Sequence, residues 1–295
     1  MKITRKLKLM KKALAMERRE HRSSYIVYVV LRMLVIITMI RQVFNQNYEN
    51  VFLCLLTLIL LIMPSFIQVN LKIELPTGLE ITILMFIFAA EILGEIQAYY
   101  IKFEFWDTAL HTLNGFLAAA IGFALVDILN RSERFSIQLS PVFVAIVAFC
   151  FSMTIGVLWE FFECGMDQLF GLDMQKDTIV YNINSVMLDP TNSNIPVGID
   201  NITDVTVNGQ DLGLGGYLDI GLLDTMKDLF VNFIGAVVFS IIGYFYVKSR
   251  GKGKFADRFI PRPKAEDADF LQQVKDEEAA MQGQQISKKD SVDIG

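Results

Sequence analysis

Residues 141–170 read P-V-F-V-A-I-V-A-F-C-F-S-M-T-I-G-V-L-W-E-F-F-E-C-G-M-D-Q-L-F. No charged side chain occurs before Glu160. A helix needs ~20 apolar residues to cross a hydrocarbon core of about 30 Å. The run therefore reads as a membrane span over 141–162, with a helix that can continue to Phe170, and Pro141 suits its first turn. Its far end carries Glu160, Glu163 and Asp167 at i, i+3 and i+7, which share one helix face. Acids at that depth are costly and need partners, so the stripe poses a functional question.

The rest of the chain repeats the pattern. Of 295 residues 53% are hydrophobic, 23 are Phe, and charge collects at the two ends. The net charge of -5 says little when charges are segregated by segment. The expected fold is all-α: one polytopic membrane domain, 25–247, of about six transmembrane helices. The expected spans are 25–40, 51–69, 79–99, 106–129, 141–162 and 223–247. Pro64 is expected to kink the second, and Leu75-Pro76 to separate the second from the third.

The segments outside the spans differ in kind. Residues 1–24 hold nine Lys/Arg with a rough apolar stripe, as in a basic amphipathic helix lying on an anionic membrane face. No cleavable signal pattern begins the chain, and no aromatic or motif context supports nucleic-acid binding. Residues 171–222 form a long acidic loop with seven Asp and one Lys, in which Val207-Asn208-Gly209-Gln210 signals a small β-hairpin. Residues 248–295 are expected to be a largely disordered tail. Cys54, Cys150 and Cys164 lie in apolar runs without metal spacing and read as small buried hydrophobes.

Basic residues set the orientation. The N-terminal segment, 70–77, 130–140 and the tail hold 22 Lys/Arg, against three in the opposite loops. Both termini are therefore expected in the cytoplasm of a cell membrane, with the acidic loop outside. With that topology four polar stripes fall at the outer end of the bundle. They are Glu91 and Glu95; Asp107, His111 and Asn114; Glu160, Glu163 and Asp167; and Asp224, Asp228 and Asn232. His111 and Asp228 are expected about 7 Å below the surface.

Eight acids in one low-dielectric place cannot all stay ionised and unpaired. Protons, Lys227 and Arg32, or a divalent cation can resolve the conflict. Arg32 reads equally as a side chain snorkelling to the headgroups. His111, one turn from Asp107, favours the cation. Expected ligands are Asp107, His111, Glu160, Glu163, Asp224 and Asp228, an oxygen-rich set suited to Zn, Mn, Mg or Fe. Glu160, Glu163 and Asp228 are the expected catalytic groups. Glu91, Glu95, Asn114, Asp167, Asp177 and Asn232 are expected around them. Plainer readings stand beside these: Asp224 as a helix N-cap, and Trp106 and Trp159 as interfacial belt residues.

Read in order, D-x3-H-x3-G (Asp107, His111, Gly115), E-x2-E (Glu160, Glu163), Q-x-D (Gln175, Asp177) and D-T-x2-D-x6-G (Asp224, Thr225, Asp228, Gly235) resemble the YjdF-like family of bacterial inner-membrane proteins. The resemblance covers about 105–244 and departs from the family over 178–218. It implies the fold and the residue set, not a reaction.

Three functions remain open. A metal-dependent membrane enzyme, a hydrolase or transferase, would activate water against a small-molecule or lipid ester, amide or phosphate. A cation- or proton-coupled transporter would place its site nearer the midplane, between repeats. An accessory protein would use the acids as a folding core and the outer loop for a partner.

Overall fold

The computed structural model describes residues 2–20, 22–71, 73–131, 139–249, 258–264 and 269–280. It is mostly helical. In chain order come α1 (Lys2–Glu20), α2 (Arg22–Phe44), α3 (Tyr48–Leu60), α4 (Met63–Leu71), α5 (Thr77–Phe88), a π-helical segment Ala89–Ile96, α6 (Tyr99–Lys102), α7 (Phe105–Arg131), α8 (Pro141–Phe170) and α9 (Leu222–Lys248). Among the described residues five helices are long and apolar enough to cross a bilayer: Arg22–Phe44, Tyr48–Asn70, Phe105–Asp127, Pro141–Phe170 and Leu222–Lys248.

Local chemistry sets the helix ends. Ser140 Oγ accepts from Phe143 N at 3.2 Å and Pro141 opens α8. Gly171, at φ 65°, closes α8, its N–H reaching Asp167 O. Pro64 lacks an N–H and crowds the carbonyl four residues back, and α3 ends there, at Leu60. The third expected span is not one continuous α-helix. Thr77–Phe88 is α-helical and Ala89–Ile96 is wound as π-helix.

Three apolar clusters hold the helices. The largest joins α5, α7, α8 and α9 through Leu79, Ala120, Phe123, Val144, Ala148 and Phe239. A second joins α2, α3 and α5 through Leu31, Val35, Cys54 and Leu84. The third joins α1 and α4 to residues 270–280 through Ala13, Val69 and Phe270. The outer face of α2 is also apolar, with Ile26, Val30, Met33 and Ile37 all exposed. A helix apolar all round belongs in lipid or a core.

The described part of the tail departs from the expected disorder. Ile260 is 1% exposed within the main cluster, Arg262–Pro263 pairs antiparallel with Ile73–Glu74, and residues 270–280 are helical. Ile260, Phe270 and Val274 supply the apolar side chains that a polar tail lacks. The expectation for 281–295 lies outside the described residues.

The loop after α8 is built from short antiparallel pairs. Ile179–Val180 pairs with Tyr217–Leu218, Ile183–Ser185 with Val197–Ile199, and Thr206–Val207 with Gln210–Asp211. Two aspartates organise it. Asp189 accepts from Thr191 N, Thr191 Oγ1 and Ser193 N at 2.6–2.9 Å. Asp219 accepts from Thr178 N, Gly221 N and Leu223 N, tying the loop's start to the first turn of α9.

Candidate functional site

The site stands where α7, α8 and α9 pack closest. Gly115 on α7 faces the Asn232 backbone, and Gly235 on α9 faces the Thr112 carbonyl. Small residues let membrane helices approach this far. Asn232 is 1% exposed and joins all three helices. It accepts from Asn114 Nδ2 at 3.2 Å, donates to Ser152 O at 3.5 Å, and fills the space at Gly156. Ser152 Oγ donates to Gly115 O at 2.7 Å. Asn114 and Asn232 thus bond to each other, and Asn232 to the α8 backbone, one turn below the acids.

Above this polar knot the acids converge on one imidazole. His111 Nε2 lies 3.4 Å from Asp107 Oδ1 and 3.9 Å from Asp228 Oδ2, and Nδ1 lies 3.8 Å from Glu160 Oε1. Asp107, His111 and Asp228 each offer one donor atom within 4.8 Å of the others. Lys227 enters from the exposed side. Its Nζ lies 2.9 Å from Asp224, 3.3 Å from Asp107 and 3.7 Å from Asp228.

Glu160 is the exception in this network. It is 3% exposed, and its one-sided contact with the Thr225 side chain is too loose to satisfy its two oxygens. Leaving a carboxylate dry and unbonded costs several kcal/mol. Asp107 Oδ2 and Asp228 Oδ1 also lack hydrogen bonds, although each faces Lys227. Asp107 on α7 and Asp228 on α9 bring oxygens to His111 Nε2, a set that could hold a cation, while Glu160 on α8 stands at the other ring nitrogen, Nδ1. Ligands about 2.1 Å from one cation sit about 3–4 Å apart, and the 3.4 and 3.9 Å separations fall in that range.

The other expected residues have other partners. Glu163 is buried and accepts from Trp159 Nε1 at 2.8 Å. Asp224 accepts from Lys176 N and Lys227, which binds the loop to α9. Asp167 accepts from Met174 N at 2.6 Å and Gln175 N at 2.8 Å. It holds the loop where the chain crosses back over the end of the bundle. Gln175 then donates from its side chain to Thr225 Oγ1. Asp177 is exposed on the loop. Arg32 donates to Tyr28 OH at 2.7 Å, one turn toward its own N-terminus.

Glu91 and Glu95 stand on the π-helical segment, half-buried and exposed respectively. Close to them in the chain is Tyr100, a residue that spacing alone did not single out. The Tyr100 ring packs on Gly94, where a Cβ would fall 2.3 Å from it. Burial raises the Tyr100 pKa, and the charges of Glu95, Asp107, Glu91 and Glu163 raise it further. Beside it Trp106 packs edge-on against Tyr99 at 4.9 Å, and its buried Nε1 has no hydrogen-bond partner among the described residues. Lys227, the one lysine inside a span, was legible as a partner for the acids.

No curated protein and no solved structure matches the chain significantly. Residues 26–249 match the family described as "Predicted membrane protein (DUF2238)", and the chain belongs to this family of YjdF-like membrane proteins.

Proposed function

We propose that the chain is a metal-dependent enzyme of the cell membrane, a hydrolase or transferase, whose site opens on the non-cytoplasmic side. In this reading the bilayer is crossed six times. The Thr77–Ile96 stretch, about 30 Å long at α-helical rise, makes the sixth crossing, and both termini are cytoplasmic. The exposed Lys8, Lys11 and Arg19 of α1 then face anionic headgroups.

One observation carries the reading. Asp107 and Asp228 flank His111 Nε2 with donor atoms close enough to share one ion, and the buried Glu160 stands at the Nδ1 side of the same ring. Asp107, His111 and Asp228 hold a divalent cation such as Zn, Mn, Mg or Fe, with Asp224 beside them. Such an ion, held there, would supply Lewis-acid polarisation of an acyl or phosphoryl oxygen and a more acidic water. Glu160 takes the proton from the attacking water. Glu163, oriented by Trp159, is the second acid within reach of that step. The Lys227 ammonium stabilises negative charge developing on the substrate oxygen.

The test is elemental analysis of the purified full chain, wild type against His111→Ala and Glu160→Gln. The expected result is about one divalent ion per wild-type chain and near none in the variants, with all three folded in detergent. Wild-type protein without metal overturns the reading.

A second reading has its own observation. Lys227 already lies within 4 Å of three carboxylates and makes a structural ion-pair network without metal. It predicts that Lys227→Met unfolds the outer end of the bundle and that metal content is zero throughout.

A further inference from the structure

Away from His111, toward the start of α8 and the end of α9, the two helices leave an open groove between them. Its volume is about 570 Å³, within the roughly 300–1,000 Å³ of small-molecule sites. The walls run from Val142 to Phe149 on α8 and from Phe233 to Phe245 on α9. At 1.5 Å per residue these stretches are roughly 10 and 18 Å long, about half of a hydrocarbon core ~30 Å thick. Rings mark the inner end. Phe149 meets Phe233 edge-on at 5.4 Å, and Phe233 stacks on Phe230 at 6.4 Å. The other end lies where α8 begins at Pro141 and α9 ends at Lys248, so the groove opens at a membrane surface and stops near the midplane.

The chemistry of the wall changes only at the mouth. Ala145 and Ser240 are the small side chains that leave the space, and the Ser240 hydroxyl is itself buried, so the surface on offer is hydrocarbon. At the mouth stands the exposed Lys248, its ammonium 5.4 Å from the centre of the Tyr244 ring, which lines the groove. From Lys248 the sequence reads K-S-R-G-K-G-K, four cations in seven residues with no acid. Such a cluster directly after a membrane helix attracts anionic lipid. A helix of a second copy is the competing occupant, and small polar side chains such as Ser240 do join membrane helices. That helix would run the full height of the bilayer, whereas this groove ends at the Phe149–Phe233 pair. A slot one leaflet deep, apolar within and cationic at its mouth, has the shape and charge of a lipid site.

We propose that this groove binds one acyl chain of an anionic phospholipid from the leaflet opposite the acid site. The acyl chain lies between α8 and α9 with its methyl end against Phe149 and Phe233. The lipid phosphate stands at Lys248. The hydrocarbon contacts hold any phospholipid, and the ammonium selects the anionic headgroup. The bound lipid braces α8 against α9 at the end that the Gly156–Asn232 contact does not reach. The site is independent of any ion at His111.

The test is native mass spectrometry of the full chain in detergent, titrated with phosphatidylglycerol or phosphatidylcholine of the same acyl composition. Phosphatidylglycerol is expected to be retained at least fivefold more than phosphatidylcholine. Lys248→Gln, at an exposed position, is expected to lower that ratio at least twofold. Ala145→Phe fills the groove and is expected to lower retention of both lipids. Val238→Phe, exposed on α9 outside the groove, is expected to change neither. A second measurement does not depend on Ala145→Phe folding. Phosphatidylglycerol with a photoreactive diazirine at the end of one acyl chain is expected to label wild-type protein chiefly at 145–149 and 233–237. Equal retention of the two lipids, a ratio indifferent to Lys248→Gln, or label spread evenly along the lipid-facing helices overturns the proposal. A dimer that Ala145→Phe dissociates also overturns it and assigns the groove to a second copy.

Discussion

Gly115 and Asn232 are in backbone contact: a Cβ on Gly115 would lie 2.1 Å from the Asn232 carbonyl oxygen. Gly235 repeats the relationship from the other helix, 2.0 Å from the Thr112 carbonyl. Neither neighbour is a flexible side chain, so neither can turn aside. Gly115→Ala and Gly235→Ala must push α7 and α9 apart. Each is expected to cost about 1–3 kcal/mol or more by overpacking. Gly165 is the control, because nothing lies within 4 Å of its Cβ position. There Ala is expected to be neutral or to stabilise the helix by about 1 kcal/mol. Thermal unfolding in detergent measures all three. Equal melting temperatures for Gly115→Ala and Gly165→Ala would show that the crossing is looser than drawn.

In the metal-enzyme reading, Lys227 competes with the proposed cation for the same oxygens. Its Nζ touches Asp107, Asp224 and Asp228, yet its side chain is 44% exposed and free to swing out. Replacing it with Met removes a positive charge a few ångströms from the proposed ion. Divalent-ion affinity is expected to rise roughly tenfold or more. The measurement is competitive titration with a fluorescent chelator, and lower affinity in Lys227→Met would contradict the expectation.

Asp189 carries a pH dependence confined to the loop. The Thr191 hydroxyl, then the Thr191 backbone N–H, with further help from Ser193 and Ile195, lowers its pKa to about 2. The folded value lies below the unfolded one of about 3.9, so folding favours the charged form. The stabilisation is complete above about pH 4 and is lost as pH falls through about 2. Asp219 shifts the same way: burial opposes its charge, but N–H donors from Thr178, Leu223 and Gly221 outweigh it. Pepsin acts in this window, so cleavage within 186–197 is expected to accelerate from pH 4 to pH 2. In Asp189→Asn the cutting rate, divided by that of an unstructured control peptide at the same pH, should be nearly independent of pH. A wild-type rate that follows only pepsin's own activity profile counts against the assignment.

What the sequence made legible, and what it hid, follows from the range of each signal. Helical periodicity is local, so Asp107 and His111 could be put on one face, and Asp224 and Asp228 on another. Basic-residue bias then put those faces at one end. The close crossing was foreshadowed by Gly115 and its small neighbours. Other features depend on partners distant in the chain. Asp167 continues the Glu160–Glu163 stripe, yet it binds Met174 and Gln175 N–H groups because α8 ends four residues later. Asn232 shares a face with Asp228, yet it knits helices because Gly115 and Gly156 leave it room. The π winding at 89–96 has no hydropathy signature, so the packing of Tyr100 on Gly94 was invisible. The tail's return to the core rests on a few apolar residues, such as Ile260 and Phe270, within a polar segment.

Asp167 therefore separates loop anchoring from site chemistry. Its two oxygens take the N–H groups of Met174 and Gln175, and Gln175 in turn reaches Thr225 on α9. Asp167→Ala leaves both N–H groups without an acceptor in a half-buried turn. The expected cost is about 1–3 kcal/mol, felt by the 171–177 crossing and not by the helix core. Hydrogen exchange is expected to rise at residues 174–176 and to stay unchanged at 112–123. Gly171 takes part as well, since it closes α8 with φ 65°, a conformation that strains other residues. Gly171→Ala should loosen the same crossing while leaving Asp167 in place. If Asp167→Ala instead empties the proposed metal site while exchange at 174–176 stays at the wild-type rate, Asp167 belongs to the cation site and its hydrogen bonds to the loop are incidental.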